Sequence, residues 1–119
     1  MILVDTSVWI EYFRKGDETL ESLLDEGQVL MHPYVMGELA CGALESRERI
    51  LRDFTDMPQL GKATDEEVLY YIEHHQLMGS GVGYLDAHLL ASVHLAENVR
   101  LWTRDKKLSV IADQLSVLH

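Results

Sequence analysis

Met1-Ile2-Leu3-Val4-Asp5-Thr6-Ser7 opens the chain with four apolar residues, an acid and two hydroxyls. Four consecutive apolar side chains leave no polar face, so residues 1–5 read as a short strand buried on both sides, as in a parallel sheet covered by helices. Thr6 and Ser7 offer hydroxyl caps to a helix carrying Val8, Trp9, Ile10, Tyr12 and Phe13, which Arg14-Lys15-Gly16 ends. In an open α/β sheet the C-terminal strand ends and the helices leaving them share one rim, where ligands bind. Asp5 closes the first strand and therefore stands at that rim.

The same grammar continues outward. Asp17 can cap a second helix whose Leu20, Leu23 and Leu24 form one buried stripe. Gly27 stops it, and residues 28–32 read as the second strand. Pro33 suits a helix start, and residues 34–44 follow as a largely apolar helix despite Gly37 and Gly42. Residues 47–57 form a polar-faced helix, and 58–63 are a short extended link or third strand. Thr64-Asp65-Glu66-Glu67 is a capping-box pattern. A glycine loop at 79–83 precedes a helix over 84–97, a strand over 99–103, a helix over 104–115 and a last short strand at 116–118. Strands alternating with helices of this length imply right-handed crossovers and a parallel sheet. No repeat or linker divides the chain, so residues 1–119 read as one domain.

Bulk properties narrow the class. A chain of 119 residues buries roughly two-thirds of its unfolded surface and needs no covalent staple. The single Cys41 cannot pair within the chain and reads as a small buried helix residue. No apolar run approaches the roughly 18 residues of a membrane span. Asp5 also interrupts the N-terminal run before a signal peptide can form, so the expected location is cytoplasmic. Ten Lys+Arg against twenty Asp+Glu give a net charge of −10. That excludes a nonspecific nucleic-acid binder but not an enzyme that meets phosphate through metal ions.

Four acids stand where chemistry is expected. Asp5 is either a helix cap or a metal ligand facing the rim. Asp105 follows the strand that ends at Thr103 and has the same two readings; Thr103 could steady a carboxylate from behind. Asp86 lies early in an apolar helix, either solvated at the positive helix end or directed to a metal. Glu38, inside Val35-Met36-Gly37-Glu38-Leu39-Ala40, either turns outward or coordinates. Charges about 4 Å apart repel by several kcal/mol at an effective dielectric near 20, so such a group needs cations, protons or basic neighbours. Oxygen-only ligands favour Mg²⁺ or Mn²⁺ over zinc.

Other groupings are weaker. His74-His75 point to different helix faces, and His88 is turned away from Asp86; all three read as solvated. Ser7 has no His with triad logic. The glycine loop matches no Walker motif. Trp9, Tyr12 and Phe13 read as core or dimer contact. Arg104, Lys106 and Lys107 form the one dense basic cluster beside the site, suited to a phosphate backbone or to a solvated helix start.

Four segments carry a resemblance: residues 3–10 (LVDTSVWI), 32–39 (HPYVMGEL), 83–91 (GYLDAHLLA) and 101–108 (LWTRDKKL). In this order they resemble the PIN-domain ribonucleases and, more narrowly, the VapC toxins of bacterial type II toxin–antitoxin pairs. The resemblance runs nearly end to end and fills all four acidic positions. It implies an α/β/α sandwich around a central, mainly parallel sheet, with Asp5, Glu38, Asp86 and Asp105 as metal ligands and catalytic residues and Thr103 beside them. It further implies Mg²⁺- or Mn²⁺-dependent RNA hydrolysis, a homodimer, and a VapB-type antitoxin whose C-terminal segment covers the site. The alternative is a degenerate PIN-like module that binds RNA or a partner protein without cutting. Many relatives carry Asn where this chain has Arg104, a residue placed to contact RNA phosphate or to pair with a site carboxylate.

Overall fold

Ile2–Val4 forms β1, the centre of a three-stranded parallel sheet of order β2-β1-β3, with β2 at Val29–Leu30 and β3 at Arg100–Trp102. Leu3 stands opposite Leu30 on one side and Leu101 on the other. The computed structural model describes all residues, Met1–His119. Single parallel bridges widen the sheet, Met31 with Gln59 beyond β2 and Leu101 with Leu118 beyond β3. The two extended segments read from the sequence thus contribute one bridge each.

Seven helices connect and cover the strands: α1 (Thr6–Lys15), α2 (Glu18–Asp25), α3 (Pro33–Ala40), α4 (Arg47–Asp56), α5 (Asp65–His74), α6 (Tyr84–Leu95) and α7 (Lys106–Gln114). Leu3, Val4 and Leu101 are fully buried, as a sheet covered on both faces requires. Helix α6 is buried without a break from Ala87 to Val93, the pattern of a helix enclosed on all sides. Trp9 packs its ring against Phe13 and Phe54, with centroids 5.8 and 5.1 Å away. That makes Trp9 core, while Tyr12 is partly buried against it and Phe13 stays 40 % exposed. No helix is long and apolar enough to cross a membrane.

Local capping follows the sequence closely. Gly16 leaves α1 at φ 78°, a conformation that suits glycine. Asp17 caps α2 through Leu20 N–H, and Thr64 with Glu67 completes the capping box of α5.

Three expectations are corrected. Helix α3 stops at Ala40 rather than residue 44 because Arg47 reaches back to donate to the carbonyls of Ala40 and Gly42, a cation closing a helix C-terminus. Cys41 therefore sits past that end and is exposed, not buried. His88 is fully buried rather than solvated. It packs edge-on between the rings of Tyr34 and Tyr84, each 4.7 Å away, and its Nε2 meets Asp65 Oδ1 at 3.0 Å.

Candidate active site

The end of β1, the starts of α1 and α6, the body of α3 and the β3–α7 turn bring the sequence-predicted residues toward one rim. Asp5 occupies the N-cap position of α1, yet its carboxylate makes no capping bond to that helix. It is 6 % exposed and is held differently. Its Oδ2 accepts the Thr103 hydroxyl at 2.6 Å and the Ser7 hydroxyl at 2.9 Å. Those hydroxyls in turn accept backbone amides from the β3–α7 turn. Asp105 N–H donates to Thr103 Oγ1 at 3.1 Å, and Arg104 N–H donates to Ser7 Oγ at 2.9 Å.

The other acids are anchored one by one. Asp105 Oδ1 caps α7 by accepting Leu108 N–H at 3.0 Å, so its bland reading holds for one of its two oxygens. Glu38 Oε1 accepts the Thr6 hydroxyl at 3.0 Å. Asp86 is half-buried at the start of α6. Burial pushes its carboxyl up to about 6, and the charges of Asp5, Asp105 and Glu38 add to the rise. The Gly83 amide, facing the carboxyl, offsets part of it. Asp86 thus senses the other three acids.

No three carboxylates, imidazoles or thiols stand close enough together to hold an ion as placed, which corrects the expectation of a ready-made cluster. Asp5, Glu38 and Asp105 are each tied to a separate anchor, and bringing like charges together without a cation costs energy. Even so, Asp5 Oδ1, Asp105 Oδ2 and Glu38 Oε2 make no hydrogen bond within the chain, because every bond these acids accept falls on their other oxygens.

Thr6 and Ser7 are the residues beside the acids that the sequence misassigned. They read as helix caps, but their hydroxyls hold Glu38 and Asp5 instead. The available signal was the run Asp5-Thr6-Ser7 itself, two hydroxyls beside a strand-ending acid. Arg104 does not pair with any of the four site carboxylates. It pairs with Asp17 at 3.0 Å and Glu11 at 3.4 Å and lies over the Trp102 ring. Beside Glu38 opens a groove of about 580 Å³ lined by Ile10, Phe13, Leu39 and Ile50, with Ile10 56 % exposed.

A parallel sheet of this order, with acids at its strand ends and on the neighbouring helices, is the arrangement of a PIN domain, and the sequence profile of that family matches residues 2–114. The chain belongs to the PIN domain family and, within it, to the VapC type. Ribonuclease VapC32, from two strains of Mycobacterium tuberculosis, is 43 % identical over 117 residues, covering 98 % of this chain and 94 % of the relative. The crystal structure of PAE2754 from Pyrobaculum aerophilum shares the fold with a TM-score of 0.65 at 14 % identity, covering 96 % of this chain and 90 % of that one.

Proposed function

We propose that the chain is a metal-dependent endoribonuclease and the toxin of a type II toxin–antitoxin pair. The observation that carries this reading is the wiring of Asp5. A buried carboxylate ignores the helix amides beside it and is held by hydroxyls from both ends of the chain. A structural cap has no use for that arrangement; a reactive carboxylate with one fixed oxygen and one free oxygen does. The ribonuclease name of the 43 % identical relative supports the same reading.

The donor set fits Mg²⁺ or Mn²⁺. It consists of hard carboxylate oxygens, three of them unpartnered, together with an Asp86 whose pKa is raised first by burial and then by the charges of the other three acids. Asp5, Asp86 and Asp105 would hold the ion, with Glu38 at a second one or on the attacking water. When bound, such a cation polarises a phosphoryl oxygen and makes water more acidic. The residues of the chain do the positioning. Thr103 and Ser7 fix Asp5, Asp105 is held by its own helix, and Glu38, steadied by Thr6, would orient the water and accept its proton. Hydrolysis joins the water oxygen to phosphorus and breaks the P–O3′ bond, leaving a 5′-phosphate and a 3′-hydroxyl.

The reading includes a VapB-type antitoxin, a homodimer and a cytoplasmic location. The groove beside Glu38, lined by Ile10, Phe13, Leu39 and Ile50 and by the charged Arg14, Glu45 and Arg49, suits a partner segment able to cover the acids. Leu69, Met78 and Leu85 are exposed apolar side chains available to a second copy. The deciding experiment is cleavage of RNA by purified protein with Mg²⁺ or Mn²⁺. Asp5→Asn should abolish it while the circular dichroism spectrum stays unchanged. Full activity in Asp5→Asn would refute the assignment.

A further inference from the structure

Two features that the proposed reaction leaves unused meet beside it: the glycine loop at 79–83 and the lysines that open α7. Gly81 lies at φ 89°, and a Cβ there would stand 2.9 Å from Lys107 Cδ and 3.3 Å from its Nζ. The Lys107 side chain therefore lies along the loop, its ammonium beside the Gly81 backbone. Two residues on, the Gly83 amide faces the Asp86 carboxyl. No more than about 7 Å of chain separates the glycine that seats Lys107 from the one that faces Asp86.

No ion pair accounts for the charge of this lysine. Lys106 and Lys107 take the first two positions of α7, and its first turn holds no acidic residue. That end of a helix favours anions and disfavours cations. Every ion pair in the chain involves Lys15, Arg49, His88 or Arg104, so neither α7 lysine has a carboxylate within 4 Å. Arg104, three residues before Lys107, is already occupied by Glu11 and Asp17. Lys107 is thus a seated, unpaired cation at the rim of an acidic site, on a chain of net charge −10. Such a surface repels a nucleic-acid backbone unless a fixed positive charge meets it.

We propose that Lys107, seated on the 79–83 loop, binds a phosphodiester of the RNA strand next to the one that is cut. This rests on the ribonuclease reading and adds to it a substrate-binding residue. Lys106 carries the same charge one position away, but it does not lie against the glycine loop as Lys107 does. It separates a positioned phosphate contact from a general change in net charge.

The test is steady-state cleavage of a short single-stranded RNA with Mg²⁺, together with the salt dependence of RNA binding measured by fluorescence anisotropy. Lys107→Gln should raise KM about tenfold with kcat within about threefold, and should lower the salt slope by about 0.7, the share of one phosphate contact. Lys106→Gln should change KM less than about twofold, and Lys107→Arg should restore most of the affinity. Equal effects of Lys107→Gln and Lys106→Gln in an active enzyme would overturn this inference alone. A wild-type protein that neither binds nor cuts RNA would overturn the ribonuclease reading, and this inference with it.

Discussion

Thr103 donates its hydroxyl to Asp5 Oδ2 at 2.6 Å across 98 positions of sequence. The same hydroxyl oxygen accepts the backbone amide of Asp105, so one short relay ties the acid ending β1 to the acid that follows β3. Ser7 repeats the device through Arg104 N–H. The two strand-end carboxylates are thereby held in register by backbone and hydroxyls, without any direct contact between them.

Replacing Thr103 by Val keeps the shape and removes the relay. A hydrogen bond to a buried charge is worth roughly 1.5–3 kcal/mol, and loss of a group that orients a ligand typically costs 10–100-fold. Thr103→Val should therefore lower the urea midpoint and cut turnover by about one to two orders of magnitude, whereas Thr103→Ser should keep most of both. Equal activity in Val and Ser variants would show that the hydroxyl does not position Asp5.

Asp86 opposes the fold when no cation is present. Its folded pKa of about 6 lies above the ordinary value of 3.8, so the ionised form is disfavoured in the native state. The penalty grows as pH rises through that interval and is full above it. Asp86→Asn should raise Tm in EDTA at pH 7.5 by roughly 3–6 °C, equivalent to about 1 kcal/mol after solvent screening of a half-exposed group. Mg²⁺ should then raise the wild-type Tm and close the gap. A lower Tm for Asp86→Asn in EDTA would count against the acids sharing one field.

Arg104 is bound to the protein by two carboxylates outside the acidic site. Its partners Glu11 and Asp17 keep 26 % and 18 % of their side chains exposed, which places the network between surface and core. Arg104→Ala should cost about 1 kcal/mol of stability and leave KM for RNA within about twofold. A large rise in KM without destabilisation would return Arg104 to the phosphate-binding role.

The sheet and the acids were legible because each depends on local pattern. A four-residue apolar run ending in Asp5 states its strand and its rim position without reference to the rest of the chain. The Thr64–Glu67 capping box and the glycine stops are equally local. What the sequence hid is set by distant partners. Ser7 reads as a cap until the β3–α7 turn arrives beside it, 96 residues later in the chain. His88 reads as solvated because its spacing turns it away from Asp86, and α6, buried without a break from Ala87 to Val93, offers no periodicity to correct that reading. The early end of α3 depends on Arg47 folding back, a contact no helix propensity encodes.

His32 supplies a pH dependence that belongs to the fold and not to the acids. It is fully buried, and its Nδ1 caps α3 by accepting Tyr34 N–H at 3.0 Å. That leaves the proton on Nε2, which faces Ser92 Oγ at 3.1 Å; the same oxygen accepts Ala63 N–H at 3.2 Å. Burial, then the charges of His88 and Lys62, hold its pKa down to about 4 from the ordinary 6.5. The unfolded chain therefore binds a proton at a pH where the folded one does not. The contribution is fully present above pH 6.5 and is lost as pH falls toward 4, reaching about 2 kcal/mol at pH 5. Asn at this position retains capping ability and does not titrate. Urea unfolding at pH 7.5 and pH 5.0 should thus show a larger loss for wild type than for His32→Asn, because the remaining titrations are common to both. Parallel losses in the two proteins would mean that His32 is not the buried neutral cap described here.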